Sequence, residues 1–181
     1  MTDKLLFLGG SSASGTSTAA DHLSHHLNLH CIHLDDFYIP FHHAIAAKAF
    51  ARGPAIDLTR DISRSIVEKF LSENAACIIE GGWVQVSQAS TFMEHERFTP
   101  IFCGYPNADA QQRWKQIKAS PSHHWLKEYD DVKALEWLDT QISESQDYRD
   151  ECNTYGVTFV DCSDLENATQ NIVSRMYELL R

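Results

Sequence analysis

The sequence predicts an α/β fold: a parallel β-sheet covered by helices on both faces. Three observations lead there. Short apolar runs of four or five residues alternate with longer stretches of helical periodicity along the whole chain. Hydrophobic residues make up 43% and charged residues 22%, an ordinary globular balance. The 181 residues match one domain on a scale of roughly 100–200 residues per domain, so a single domain over 1–181 is expected.

The elements follow in order. Leu5–Leu8 is a first strand, and a helix runs from Gly15 to about Leu27. His30–Leu34 is a second strand. Residues 35–58, broken by Pro40, Gly53 and Pro54, are expected to be irregular. Thr59–Leu71 has Ile62, Ile66, Val67 and Phe70 on one helical face. Ala75–Ile79 is a third strand, closed by Gly81-Gly82, with a short helix at 86–96. Pro100–Cys103 is a fourth strand, followed by helical patterns at about 107–118 and 130–152. Val157–Val160 is a fifth. Ser163-Asp164-Leu165-Glu166 has the spacing of a capping box and predicts the start of the last helix.

Charge and composition exclude several function classes. Lys+Arg is 15 and Asp+Glu is 25, a formal net charge of −10, which argues against a nucleic-acid partner and an anionic membrane surface. There is no apolar stretch of about 18 residues to span a membrane. The run Leu5–Leu8 is too short for a signal peptide, so a cytoplasmic protein is expected. The five cysteines form no Cys-x-x-Cys and lie mostly in apolar runs, as buried reduced thiols do. His22 and His26 share a helical face at a zinc-compatible spacing, but no acidic or cysteine partner completes a set, and exposed helix histidines are the better reading.

In such sheets ligands bind beyond the carboxyl ends of the strands. The polar residues there are the 9–17 loop, Asp35-Asp36, Glu80, Tyr105 and Asp161. The first is the most informative. Gly10-Ser11-Ser12-Ala13-Ser14-Gly15-Thr16-Ser17-Thr18 follows the first strand and opens a helix, with the glycine spacing of Gly-x-x-x-x-Gly-Lys-Ser/Thr. Successive backbone N–H groups and a helix N-terminus make such a loop an anion cradle. Ser17 stands at the hydroxyl position that ligates Mg²⁺. Thr16 stands where the pattern has lysine, so one positive charge is missing; Arg113, Lys115, Lys118 and Lys127 are the candidates to replace it.

Gly10-x4-Gly15-Thr16-Ser17, then Cys31-Ile32-His33-Leu34-Asp35-Asp36-Phe37-Tyr38, then Ile78-Ile79-Glu80-Gly81 resemble the small-molecule kinases of the phosphate-loop superfamily, most closely uridine kinase and nicotinamide riboside kinase. The match covers roughly residues 4–82 and is looser beyond. The resemblance implies a three-layer phosphate-loop NTPase fold with strand order 2-3-1-4-5 and a small lid at about 113–127. It implies ATP as co-substrate with Mg²⁺, a nucleotide bound by residues 10–18, Asp35 as the base facing the acceptor hydroxyl, a catalytic Arg113, and Glu80 holding the metal's water shell. The family has lysine at the Thr16 position, and residues 40–58 depart from its acceptor-site pattern.

Chemistry supports the same residues independently. Phosphoryl transfer needs an anion cradle, a metal held by hydroxyl and carboxylate, and a base near the acceptor oxygen; the loop, Ser17 with Glu80, and Asp35 supply them. Asp36, Tyr38, Arg52, Asp57 and Trp83 are candidate acceptor contacts. Asp57 is equally readable as an N-cap for a helix from Leu58 or Thr59, Arg52 as a solvated loop cation, and Trp83 as core. The expected activity is an ATP-dependent kinase acting on a hydroxyl of a small molecule, a nucleoside or nucleoside-like compound. The rivals are a nucleoside monophosphate or other small acceptor on the same fold, and a nucleotide-binding protein without transfer.

Overall fold

The computed structural model describes residues 3–38, 52–120 and 124–181, residues 52–56 by backbone only. Five strands, β1 (Leu5–Gly10), β2 (His30–His33), β3 (Cys77–Glu80), β4 (Phe98–Gly104) and β5 (Thr158–Asp161), form one sheet in the order β2-β3-β1-β4-β5. Every pairing is parallel. The helices are α1 (Thr16–Leu27), α2 (Arg52–Ser72), α3 (Val86–Phe92), α4 (Ala110–Ala119), α5 (Asp131–Tyr155) and α6 (Ala168–Leu179), with a 3₁₀ turn at Trp125–Glu128.

Alternation along β1 builds the layers. Leu5 and Phe7 point into a core shared with Val67 of α2, Val86 and Phe92 of α3 and Cys152 of α5. Leu6 and Leu8 point the other way, onto Ala19, Ala20 and Leu23 of α1 and Ile172, Val173 and Met176 of α6. All four are at most 1% exposed, and each contributes about 2 kcal/mol of burial. This explains why the strand reads as a continuous apolar run. A third cluster joins Tyr105, Trp114 and Ile117 to Leu126, Ala134 and Leu138. It ties α4 and the 3₁₀ turn, most of the stretch expected as a lid, to α5. Residues 121–123 of that stretch lie outside the described residues.

Pro100 sits inside β4, yet β5 pairs only from Ile101 onward. Its missing N–H therefore removes no ladder bond on that side.

Two expectations are corrected. The helix expected from Thr59 begins at Arg52, with Pro54 in its first turn, where a proline N–H has no partner to lose. Asp57 lies inside that helix, 3.8 Å from Arg60, and is not its cap. The last helix begins at Ala168, not at Ser163. Asp161 takes both donors of Ser163, its N–H at 2.8 Å and its hydroxyl at 2.5 Å, and Asp164 accepts from the N–H of Glu166 at 3.2 Å. These local carboxylate turns outcompete the capping box.

Candidate functional site

The parallel register brings three strand ends level. His33 pairs with Glu80 across β2 and β3, and Leu8 of β1 pairs with Glu80 from the other side. The chain leaves β1 through Gly10 at φ 127°, where a Cβ would lie 1.9 Å from the Cys103 carbonyl oxygen. It enters α1 through Gly15 at φ 94°, the left-handed residue capping that helix. Between them Ala13 is itself left-handed at φ 63°.

Side chains from distant elements hold the loop from behind. Ser145 of α5 donates its hydroxyl proton to the Gln141 carbonyl at 2.7 Å, so Ser11 is the donor in the 2.8 Å contact between Ser11 Oγ and Ser145 Oγ. The Ser12 N–H donates to Gln141 Oε1 at 3.1 Å, and the Tyr105 hydroxyl donates to the Ser12 carbonyl at 2.9 Å. Arg113, 1% exposed, donates to the Ala13 carbonyl at 2.6 Å and to the Cys162 carbonyl at 3.1 Å. Its guanidinium lies 3.6 Å from the centre of the Tyr105 ring. Burial lowers its pKa from the usual high value and raises that of the Tyr105 hydroxyl. Arg113 Nε and Ser14 Oγ are buried without a hydrogen-bond partner among the described residues.

The opposite wall centres on Glu80, 4% exposed. Its Oε1 accepts from the hydroxyls of Thr16 at 2.6 Å and Ser17 at 3.1 Å. Its Oε2 meets His33 Nδ1 at 3.0 Å, and His33 Nε2 meets Asp21 Oδ1 at 3.2 Å. Burial disfavours the charged imidazole, but the hydrogen bonds and charges of Glu80 and Asp21 outweigh it and hold the His33 pKa above its ordinary value. Burial, with Glu80 and Asp21 adding to it, pushes the neighbouring Cys31 thiol up to about 12, so it stays a thiol. All five cysteines are free. Ser17 and Glu80 offer hard oxygen donors, the set that suits Mg²⁺.

On the next rim, the backbone turns helical over residues 35–38. Asp35 accepts the Trp83 indole N–H at 2.7 Å. Tyr38 stacks on Trp83, with ring centres 3.9 Å apart. Asp36 is exposed. An apolar hollow beside Tyr38 is lined by Leu34, Phe37, Thr59, Ile62, Ser63 and Ile66.

The structure therefore draws Thr16, Ser17 and Glu80 together, and Asp35, Tyr38 and Trp83 together. Thr18 is exposed in the first turn of α1, Asp57 faces Arg60, and the Arg52 side chain lies outside the described residues. Of the cations expected to replace the loop lysine, Lys118 pairs with Asp131 at 3.1 Å and Lys127 donates to the Ser120 carbonyl at 2.5 Å. Arg113 is the one of the four with a described hydrogen bond to the loop.

Sequence reasoning missed His33, Gln141 and Ser145. A signal existed for the last two. Ala134, Leu138, Gln141, Ser145 and Cys152 lie at helical spacing on the buried face of α5, and two polar residues interrupt that apolar stripe. His33 was hidden because only the register shows that it faces Glu80. His22 and His26 stack at 4.0 Å as a helix-surface pair, and among the described residues no three His, Cys, Asp or Glu side chains gather as a metal cage.

No protein-family model and no curated protein matches the chain. Solved structures do. A shikimate kinase from Bacteroides thetaiotaomicron superposes with a TM-score of 0.63 at 15% identity, covering 98% of each chain. A gluconokinase from Sinorhizobium meliloti gives 0.58 at 14%, covering 98% of this chain and 94% of that one. A shikimate kinase from Aquifex aeolicus gives 0.57 at 18%, covering 96% of each. With the parallel order β2-β3-β1-β4-β5, these likenesses show that the chain shares the three-layer α/β fold of those solved kinases.

Proposed function

We propose that the protein is an ATP-dependent small-molecule kinase that moves the γ-phosphoryl group to a hydroxyl of a nucleoside or nucleoside-like compound. The observation that carries this is the Ser17–Glu80 contact at 3.1 Å, directly beneath a phosphate loop on the central strand. It joins a loop hydroxyl to a carboxylate on the adjacent strand end, the pairing that phosphoryl transfer requires around its metal. Mg²⁺ bound there supplies charge neutralisation at the phosphates. Residues 10–18 bind the triphosphate through backbone N–H groups, and Arg113 supplies positive charge from behind the loop. Asp35 receives the proton of the acceptor hydroxyl. The stacked Tyr38 and Trp83 offer a flat face to an acceptor ring, which supports a nucleoside-like substrate; Asp36, Arg52 and Asp57 are the further acceptor-side candidates.

A melting experiment with Mg·ATP tests nucleotide binding. A ligand at a hundredfold excess over its Kd stabilises by about 2.7 kcal/mol. No shift with any nucleoside triphosphate at millimolar concentration, with Mg²⁺, would count against the whole reading. Acceptor-dependent release of ADP over a panel of nucleosides tests transfer.

A second reading is a nucleotide-binding protein without transfer. It is favoured by Thr16, whose hydroxyl is directed to Glu80 where the loop pattern has a lysine. Stabilisation by Mg·ATP with no turnover on any panel member is its signature.

A further inference from the structure

Asp35 lies on an exposed turn, and a carboxylate there has rotamer freedom that a general base must lose. One contact removes it. The indole N–H of Trp83 donates to Asp35 Oδ1 at 2.7 Å, and no other described side chain bonds to that carboxylate. An indole nitrogen is a donor only, so the contact has one polarity. We propose that Trp83 is the positioning residue of Asp35, holding one carboxylate oxygen so that the other faces the acceptor. This rests on the kinase reading above.

The surroundings support a built contact. Trp83 follows Gly81 and Gly82 at the end of β3. Gly81 has φ 148°, and a Cβ there would come within 2.8 Å of the Leu34 side chain. The Leu34 N–H donates to the Glu80 carbonyl at 2.8 Å, so the turns that carry Asp35 and Trp83 are stitched together. Trp83 packs in part on the core that contains Leu34, Val84 and Val86. Its ring is also stacked by Tyr38 at 3.9 Å, with the planes 30° apart. The indole is thus fixed by the core and by Tyr38, and its N–H fixes Asp35.

In the transfer step the acceptor oxygen forms a bond to the γ-phosphorus. The bond from that phosphorus to the β–γ bridging oxygen breaks, and its electron pair leaves with ADP. The hydroxyl proton passes to Asp35 Oδ2, while Oδ1 remains held by Trp83. Rotation of the carboxylate away from the acceptor misplaces the base, and displacements of about 1 Å at a reacting group can cost up to a hundredfold.

The test uses Trp83→Phe, which keeps a ring against Tyr38 and removes the N–H. With Mg·ATP and whichever panel nucleoside the unmutated protein phosphorylates, kcat should fall about tenfold or more while KM for Mg·ATP stays unchanged. In an Asp35→Asn background the same substitution should cost little further, because the base is already gone; a purely structural effect would repeat in full. A spectroscopic readout is independent of turnover. The chain has four tryptophans, and Trp114 donates its indole N–H to Asp131 at 2.9 Å. In nitrogen-15 spectra, Asp35→Asn should move the Trp83 indole signal and leave that of Trp114, and Asp131→Asn should do the reverse. An unmoved Trp83 signal, an unchanged kcat, or full additivity with Asp35→Asn would overturn the inference while leaving the kinase reading in place. Absence of transfer by the unmutated protein to any acceptor would overturn both.

Discussion

Replacing Arg113 by methionine removes a guanidinium and keeps most of the apolar stem. Two carbonyl oxygens lose their donor: Ala13, on the phosphate loop, and Cys162, itself fully buried. A buried acceptor left without a partner costs about 1–3 kcal/mol. Against this, the substitution takes a charge out of the interior, along with an Nε that has no partner among the described residues. The balance is a loss of about 3 kcal/mol. For a domain of this size each kcal/mol moves Tm by about 2–4 °C, so the variant should melt about 6–12 °C lower. The loop should suffer beyond its share of stability. Ala13 holds a left-handed conformation, which costs an L-residue about 1–2 kcal/mol, and Arg113 grips its carbonyl. Without that grip the loop relaxes, and Mg·ATP affinity should fall about tenfold. Arg113→Lys should be intermediate in both readouts, because an ammonium cannot reproduce the fork that meets two carbonyls. Thermal melting and a Mg·ATP titration on the three proteins decide it. A methionine variant with unchanged Tm and unchanged affinity would refute the role given to Arg113; lower Tm with unchanged affinity would reduce it to a core residue.

Gly10→Ala should prevent folding to the native state, seen as a lost melting transition, because its Cβ would meet rigid backbone at Cys103 and the φ of 127° excludes a side chain. Thr16→Lys should leave the fold intact, with Mg·ATP affinity retained or improved by calorimetry, since the hydroxyl bond to Glu80 gives way to a cation between that carboxylate and the phosphates; a clear fall in affinity would mean that the cation position is already filled. Asp35→Asn should cut transfer by about a hundredfold or more with little change in nucleotide affinity, and Asp36→Asn should cost less; equal losses in the steady-state rates would break the assignment of the base.

The sheet was legible because every strand is a short apolar run bounded by polar or glycine residues, and parallel strands buried on both faces keep that signature. The sheet order came with the motifs, not from the runs themselves. The loop, Asp35 and Glu80 were legible because each stands directly after such a run. The start of α2 was hidden by Gly53 and Pro54, which discourage a helix everywhere except its first turn, where they lie. The start of α6 was misread because a capping box is a local rule, and Asp161 and Asp164 offered Ser163 and Glu166 nearer acceptors. The contacts behind the loop were illegible for a geometric reason, although the buried stripe of α5 marks Gln141 and Ser145 as polar residues in an apolar face. Gln141 and Ser145 touch it across 129 and 134 positions of sequence, and no local pattern reports a contact of that span.

That span has a consequence for assembly. The loop leaves the ribosome before the residues that hold it: Ser11, Ser12 and Ala13 take their side-chain partners from Tyr105, Arg113, Gln141 and Ser145. An emerging chain that ends before α5 has β1 but lacks two of the four residues that shape the turn after it. The loop's final shape is therefore a late event in biogenesis, gained when α5 docks on the sheet, and the nucleotide binding proposed for it should be equally late. A truncated product that carries the whole phosphate-loop motif but lacks α5 should show no stabilisation by Mg·ATP, while one that includes α5 should.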